Sequence, residues 1–238
     1  MPAVILPPRA ALLLDLDGTL LDFAATPDAV IVPDGLIADL RAIRTRLGDA
    51  LAIVTGRPIA QVDALLGDAP YAVAGEHGTA LRLAPNAPIT HFPLPVLPAG
   101  WAERAKAAAA CHDGALYEPK AHGFVLHYRQ APTAGAALRA TALDILGDST
   151  DFMLMPAAMA WEAKPVAADK GAAVRALMAA APFAGRTPAY IGDDVTDLDG
   201  IAAAQALGGV GWQVAPIFGT PTAVRAWLHD LTRLRSPL

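Results

Sequence analysis

Short unbroken apolar runs alternate along this chain with stretches in which apolar residues recur every three or four positions. Ala10 to Leu14, Leu51 to Val54, Tyr71 to Ala74 and Pro188 to Ile191 are of the first kind and predict buried strands. Leu36, Ile37, Leu40, Ile43 and Leu47 keep helical spacing, with Pro33 near the start and Gly48 at the stop. Pro58 opens a second helix that Gly67 closes. Near the C-terminus, Thr220-Pro221 reads as an N-cap followed by a first-turn proline, leading into the stripe Val224, Trp227, Leu228, Leu231 and Leu234. Strands alternating with helices predict an α/β fold, a mostly parallel sheet with helices on its faces.

The middle of the chain changes character after the proline-rich stretch Pro85 to Pro98, which reads as a linker. A helix from about Trp101 to Ala110 is followed by strands near Ala115 to Glu118 and Gly123 to Arg129. A helix from Ala134 to Leu146 then precedes strands near Phe152 to Met155 and Ala160 to Ala163. This helix-strand-strand unit, twice over, suits a small inserted α/β domain. The predicted division is residues 1–96 and 164–238 for the larger domain and 97–163 for the insert.

Composition narrows the function classes. The 238 residues include 54% hydrophobic types, much of that alanine, yet no apolar run approaches the roughly 20 residues of a membrane span. The N-terminus reverses the charge order of a secretory signal, so cytoplasmic residence is expected. One cysteine, Cys111, rules out an intrachain disulfide and a multi-cysteine zinc site. A net charge of -5 without a basic stripe argues against nucleic acid as a partner. No partner beyond a small molecule is expected, and the default assembly is a monomer.

Candidate chemistry sits at strand ends. Leu14-Asp15-Leu16-Asp17-Gly18-Thr19 places two carboxylates two residues apart after an apolar strand. One can attack phosphorus to form an aspartyl phosphate, and the other can act as general acid. Asp-Gly alone also turns a hairpin. A second acidic cluster, Gly192-Asp193-Asp194-Val195-Thr196-Asp197, again follows a strand. Acidic groups at two strand ends suit Mg²⁺, with Asp15 and Asp193 the first ligands, while Asp197 also suits a helix N-terminus. Thr55-Gly56-Arg57 offers a hydroxyl and backbone N–H groups for a phosphate at a helix start. Lys170 is the cation that can neutralise phosphate and aspartates together.

In this order, Asp-x-Asp, Thr, Lys and Gly-Asp-Asp, the chain resembles the haloacid dehalogenase superfamily of phosphatases over nearly its whole length. Within it, Thr55-Gly56-Arg57, Gly75-Glu76-His77-Gly78, His127-Tyr128-Arg129, Trp161-Glu162-Ala163-Lys164-Pro165 and Gly192 to Asp197 resemble the trehalose-6-phosphate phosphatases. The resemblance implies a Rossmann-like core carrying an inserted cap, and Mg²⁺-dependent hydrolysis of a phosphosugar, trehalose 6-phosphate, in trehalose biosynthesis.

It also implies roles. Asp15 would be the nucleophile and Asp17 the acid and base. Thr55 and Lys170 would hold phosphoryl oxygens. Asp15, the Asp17 carbonyl and Asp193 would hold Mg²⁺, with Asp194 and Asp197 supporting the metal's waters or Lys170. The sugar would be read by Glu118, Lys120, His127, Arg129 and Glu162 of the cap, with Arg57, Glu76 and His77 from the core. Neighbours on a strand face opposite ways, so His127 and Arg129 rather than Tyr128 are expected toward the sugar. The chain departs from the family pattern at Leu198, commonly Glu, at Ile201, commonly aromatic, and at Lys164, frequently Arg. These departures leave the chemistry intact and bear on sugar specificity. The alternatives are a phosphatase for a sucrose, mannosyl-glycerate or hexose phosphate, a phosphosugar mutase, and a non-catalytic sugar-phosphate sensor.

Overall fold

The computed structural model describes residues 4–24, 29–120, 122–167 and 169–234. In chain order the elements are β1 (Ala10–Leu14), α1 (Leu36–Arg46), β2 (Leu51–Val54), α2 (Ile59–Leu66), β3 (Ala72–Gly75), β4 (Ala80–Arg82), β5 (Thr90–His91), α3 (Trp101–Ala110), β6 (Leu116–Lys120) and β7 (Gly123–His127). Then follow α4 (Gly135–Leu146), β8 (Phe152–Ala157), β9 (Ala160–Pro165), α5 (Lys170–Met178), β10 (Thr187–Gly192), α6 (Asp197–Ala206), β11 (Val210–Gln213), α7 (Val214–Ile217) and α8 (Pro221–Arg233). The chain divides into two compact units, residues 1–92 with 169–238, and residues 93–168.

The larger unit is built on a seven-stranded sheet of order β11-β10-β1-β2-β3-β4-β5. From β11 to β3 the pairs are parallel. All five residues of β1 are buried, as a central parallel strand covered on both faces requires. The α/β core with a mostly parallel sheet, expected from the alternation of strands and helices, is therefore present. Leu36, Leu40 and Ile43 of α1, and Val224, Leu228 and Leu231 of α8, join one cluster with the sheet. The Thr220 hydroxyl caps α8 by accepting from the Ala223 N–H at 3.2 Å, and Pro221 begins the helix. Leu234 departs from the expected stripe: it lies past the helix end and is 48% exposed.

The proline-rich stretch differs from expectation too. Rather than serving throughout as a linker, it contributes β5, which pairs antiparallel with β4, itself antiparallel to β3. β3 also begins one residue later than the apolar run, with the Tyr71 N–H donating to Leu51 O just ahead of it.

The smaller unit is an antiparallel sheet of order β6-β7-β9-β8 with α3 and α4 packed on it. Phe124, Leu126, Phe152 and Ala163 bury against Ala105, Leu138, Ala142 and Ile145. Trp101 meets Phe152 edge-on at 5.2 Å, and the Trp161 indole N–H donates to Gly135 O at 2.8 Å. Among the described residues, no helix is long and apolar enough to cross a membrane.

Candidate active site

In the larger sheet β1 lies between β10 and β2. The chain runs outward from β1 in both directions, which makes the carboxyl end of β1 the switch point where α/β sheets open a crevice. Asp15 follows β1, Thr55 follows β2, Glu76 follows β3 and Asp193 follows β10.

Asp15 is 4% exposed. Lys170 Nζ donates to its Oδ1 at 2.8 Å and to Asp197 Oδ1 at 2.6 Å, while the Thr19 hydroxyl donates to Asp15 Oδ2 at 3.1 Å. Lys170 reaches this point because α5 starts on it: Asp169 caps the helix by accepting from the Gly171 and Ala172 N–H groups at 2.6 and 3.1 Å. A single buried ammonium cannot neutralise the carboxylates around it. Burial, then the charge of Asp197, holds Asp15 well above the usual carboxylate range against the pull of Lys170. Burial opposes the charged form of Lys170, but Asp15 and Asp197 outweigh it and raise the ammonium above its ordinary value.

Asp197 is fully buried and fully engaged. Its Oδ1 accepts from Lys170 and from the Tyr190 hydroxyl at 2.7 Å, and its Oδ2 accepts from the Asp193 and Asp194 N–H groups at 3.1 and 3.0 Å. It therefore fixes Lys170 and the Asp193–Asp194 backbone together. Burial, then Asp197, pushes the Tyr190 phenol far above its usual value, which keeps it a donor.

Carboxylate oxygens of Asp15, Asp193 and Asp197 lie within 4.8 Å of one another. Among the described residues, Asp193 Oδ1 is buried without a hydrogen-bond partner. Burial, then Asp197 and Asp194, raises the Asp193 carboxyl to about 6. A Cβ at Gly18, whose φ is 76°, would stand 2.1 Å from Asp193 Oδ2, so only glycine leaves that carboxylate its place. Crowded carboxylates with an orphaned buried oxygen fit a bound cation. Since Asp197 is saturated by four donors, Asp15 and Asp193 hold the capacity to ligate one. Asp194 is exposed, accepts the Val195 N–H at 2.6 Å and stands outside the cluster.

Asp17 faces the β2 loop, where Arg57 Nε and Nη2 donate to its two oxygens at 2.6 and 2.7 Å. Thr55 is 1% exposed, and its hydroxyl accepts the Arg57 N–H at 3.2 Å. Glu76 and His77 both adopt left-handed backbone, with φ of 51° and 56°. Such residues persist only where the surroundings hold them; here Glu76 N–H donates to Arg57 O and His77 N–H to Thr55 O, each at 3.0 Å. Gly56 leaves room for the His77 ring, which a Cβ there would meet at 2.7 Å.

In the smaller unit, Glu118 pairs across the ladder with Val125, and Val125 with Glu162. Partners across an antiparallel ladder share a face, and alternate residues of one strand do likewise. Glu118, Lys120, His127 and Glu162 thus occupy one face, opposite the one carrying Phe124 and Leu126 beneath the helices. His127 Nε2 lies 2.7 Å from Glu118 Oε2, and Lys120 Nζ 2.5 Å from Glu118 Oε1. The His127 hydrogen bond, opposed by partial burial and aided by Lys120, lowers the Glu118 carboxyl to about 2. Arg129 lies beyond the end of β7, with Nη2 3.5 Å from Ala158 O. Tyr128 instead stacks near Trp161, the ring centroids 6.1 Å apart.

Two contributors escaped sequence reasoning. Thr19 stood inside the first motif without an assigned role, and nothing in the sequence marks Tyr190, an apolar-strand residue, as the donor that fixes Asp197.

The chain as a whole also matches known proteins. The sequence model of the Trehalose-phosphatase family matches residues 13–215. A trehalose-6-phosphate phosphatase of Escherichia coli strain K12 is 35% identical over 220 residues, covering 92% of this chain and 81% of that protein. A probable trehalose-phosphate phosphatase of Sinorhizobium fredii is 39% identical over 211 residues, covering 87% and 78%. In fold, the C. albicans trehalose-6-phosphate phosphatase C-terminal domain superposes with a TM-score of 0.77 at 20% identity, covering 96% of this chain and 94% of that one. Because the family match runs from inside β1 into α7, across every strand end that supplies the site, the chain belongs to the trehalose-phosphatase family.

Proposed function

We propose that this protein hydrolyses trehalose 6-phosphate to trehalose and phosphate, with Mg²⁺ and through an aspartyl phosphate on Asp15. Family membership supports the substrate, and one observation carries the chemistry: Asp15 lies at the switch point, bonded to Lys170 and with a carboxylate oxygen within 4.8 Å of one of Asp193. Asp15 attacks phosphorus. Asp17 gives a proton to the departing sugar oxygen and later takes one from the hydrolytic water. Lys170 and Thr55 hold the phosphoryl oxygens, as a transition state with charge spread over those oxygens requires. Asp15, the Asp17 carbonyl and Asp193 are the residues that would hold Mg²⁺, which when bound supplies positive charge against phosphate. Asp194 would order the waters of such an ion, and Asp197, which accepts from Lys170, would keep that ammonium in place.

The smaller unit acts as the substrate-specificity cap, its Glu118, Lys120, His127, Arg129 and Glu162 pairing sugar hydroxyls, with Glu76 and His77 from the core. A phosphosugar is then the partner, the protein acts as a monomer without nucleic acid, and the reaction belongs to the cytoplasm.

Phosphate release from trehalose 6-phosphate and a panel of other sugar phosphates, with Mg²⁺ and with EDTA, tests this reading. Mg²⁺-dependent preference for trehalose 6-phosphate is expected. Preference for another phosphosugar moves the substrate, and no release at all overturns the reading.

A further inference from the structure

The geometry points to Arg57 as the positioning residue for Asp17, holding that carboxylate in the orientation that serves the water-attack half of the reaction; this rests on the phosphatase reading above. Leu14 and Ile53 are partners across the parallel β1–β2 ladder. Asp17 and Arg57 therefore leave adjacent strand ends side by side, and an ion pair between them ties the two loops that flank the phosphate position.

The pair is bidentate, at 2.6 and 2.7 Å, so both oxygens of Asp17 are directed at once. The clamp is itself fixed from three sides. Arg57 Nη1 donates to Gln61 Oε1 at 3.3 Å on α2. Its N–H rests on the Thr55 hydroxyl at 3.2 Å and its carbonyl accepts from Glu76 at 3.0 Å. A Cβ at Gly75 would press on that carbonyl at 2.8 Å, so glycine alone fits behind it. The Arg57 side chain is 11% exposed and that of Asp17 27%, so water competes little with the arginine fork. A side chain held this way is poorly free to search for a sugar hydroxyl and well suited to aim its neighbour.

In the half-reaction concerned, the water oxygen bonds to phosphorus and the bond from phosphorus to the Asp15 oxygen breaks. Its electron pair returns to the Asp15 carboxylate, and the water proton passes to Asp17. Free phosphate leaves. Nothing further is consumed, and the requirement on Asp17 is an oxygen pointed at the water.

Stopped-flow kinetics with 4-nitrophenyl phosphate and Mg²⁺ separates the halves, because nitrophenolate departs without an acid. In Arg57→Ala the second half becomes limiting. A burst approaching about one equivalent appears, and steady turnover falls about 100-fold, the scale of one acid–base group. Arg57→Lys keeps the charge but not the fork, and is expected to show the burst with about a 10-fold fall, covering the case in which the alanine variant does not fold. With trehalose 6-phosphate, kcat and KM fall together, leaving kcat/KM within about threefold of wild type. A rise in KM with kcat unchanged makes Arg57 a sugar ligand and overturns the proposal, as does slowed turnover without a burst in either variant. Wild-type protein inactive on every substrate fails the phosphatase reading and this proposal together; an active wild type with unmoved variants fails the proposal alone.

Discussion

Replacing Asp15 by asparagine should abolish turnover while leaving the metal-free protein as stable as before, or more so. Asp15 lies within 4.8 Å of carboxylate oxygens on Asp193 and Asp197 and 2.8 Å from the Lys170 ammonium. At an effective dielectric constant of about 20, each repulsion is on the order of 3.5 kcal/mol and the attraction about 6 kcal/mol, so the charge interactions nearly cancel. Burial of the ionised carboxyl, the largest influence on it, then decides the sign. The amide oxygen can still accept from Lys170, and the amide N–H₂ meets the Thr19 hydroxyl, which can turn to accept.

The expected melting temperature in EDTA is therefore unchanged or higher by up to about 5 °C, at about 2–4 °C per kcal/mol for a chain of this size. The gain should grow as pH rises. A group whose folded pKa is raised favours the folded state at low pH and loses that contribution as pH climbs toward the folded value. Saturating Mg²⁺ reverses the order. At about 100 times its Kd a cation adds roughly 2.7 kcal/mol to wild type, and the variant, lacking one carboxylate, should gain less. Turnover should fall by about 10⁴-fold or more. Melting curves with EDTA and with Mg²⁺, beside phosphate release, decide the matter. A variant that melts more than about 5 °C below wild type in EDTA would refute the charge argument, and near-normal activity would remove Asp15 as nucleophile.

The same substitution at the first residue of α6 should do the opposite. Asp197→Asn turns an amide N–H₂ toward one of two pairs of existing donors, leaving buried donors unmatched at a cost of about 2–5 kcal/mol; unchanged melting would contradict its four-donor role. In the smaller unit, the His127 hydrogen bond lowers the Glu118 carboxyl from its ordinary 4.5 to about 2, so it contributes stability above pH 4.5 that is lost as pH falls through about 2. Glu118→Gln should remove that portion of the acid dependence, followed by the fluorescence of Trp101 and Trp161, and an identical acid profile would dismiss the pairing with His127.

Much of this was legible because periodicity reports burial. The run Ala10 to Leu14 is buried throughout, and the Thr220-Pro221 helix start is correct to the residue. Proline-rich Pro85 to Pro98 hid β5 because a two-residue edge strand at Thr90–His91 carries no period to detect. The nucleophile, lysine and acidic motif were each visible as residues, but their partners were not. Asp17 meets Arg57 across 40 positions and Lys170 meets Asp15 across 155, contacts set by strand order rather than by spacing. His229 gave no pattern either, yet Nδ1 lies 3.1 Å from Asp39 Oδ1, joining α8 to α1.

The alternation in the smaller sheet bears on how such a protein can change. Across β6, β7 and β9 the side chains divide between a face buried with α3 and α4, which carries Phe124 and Leu126, and a face that carries Glu118, Lys120, His127 and Glu162 around buried Val125. Point substitutions at Glu118, Lys120, His127 or Glu162 can therefore diversify over generations without disturbing Phe124, Leu126 or Trp161. A single inserted residue within β7 cannot, since it would exchange the two faces from that point onward. Lineages descending from this fold are accordingly expected to differ by replacement along these strands and to conserve their lengths.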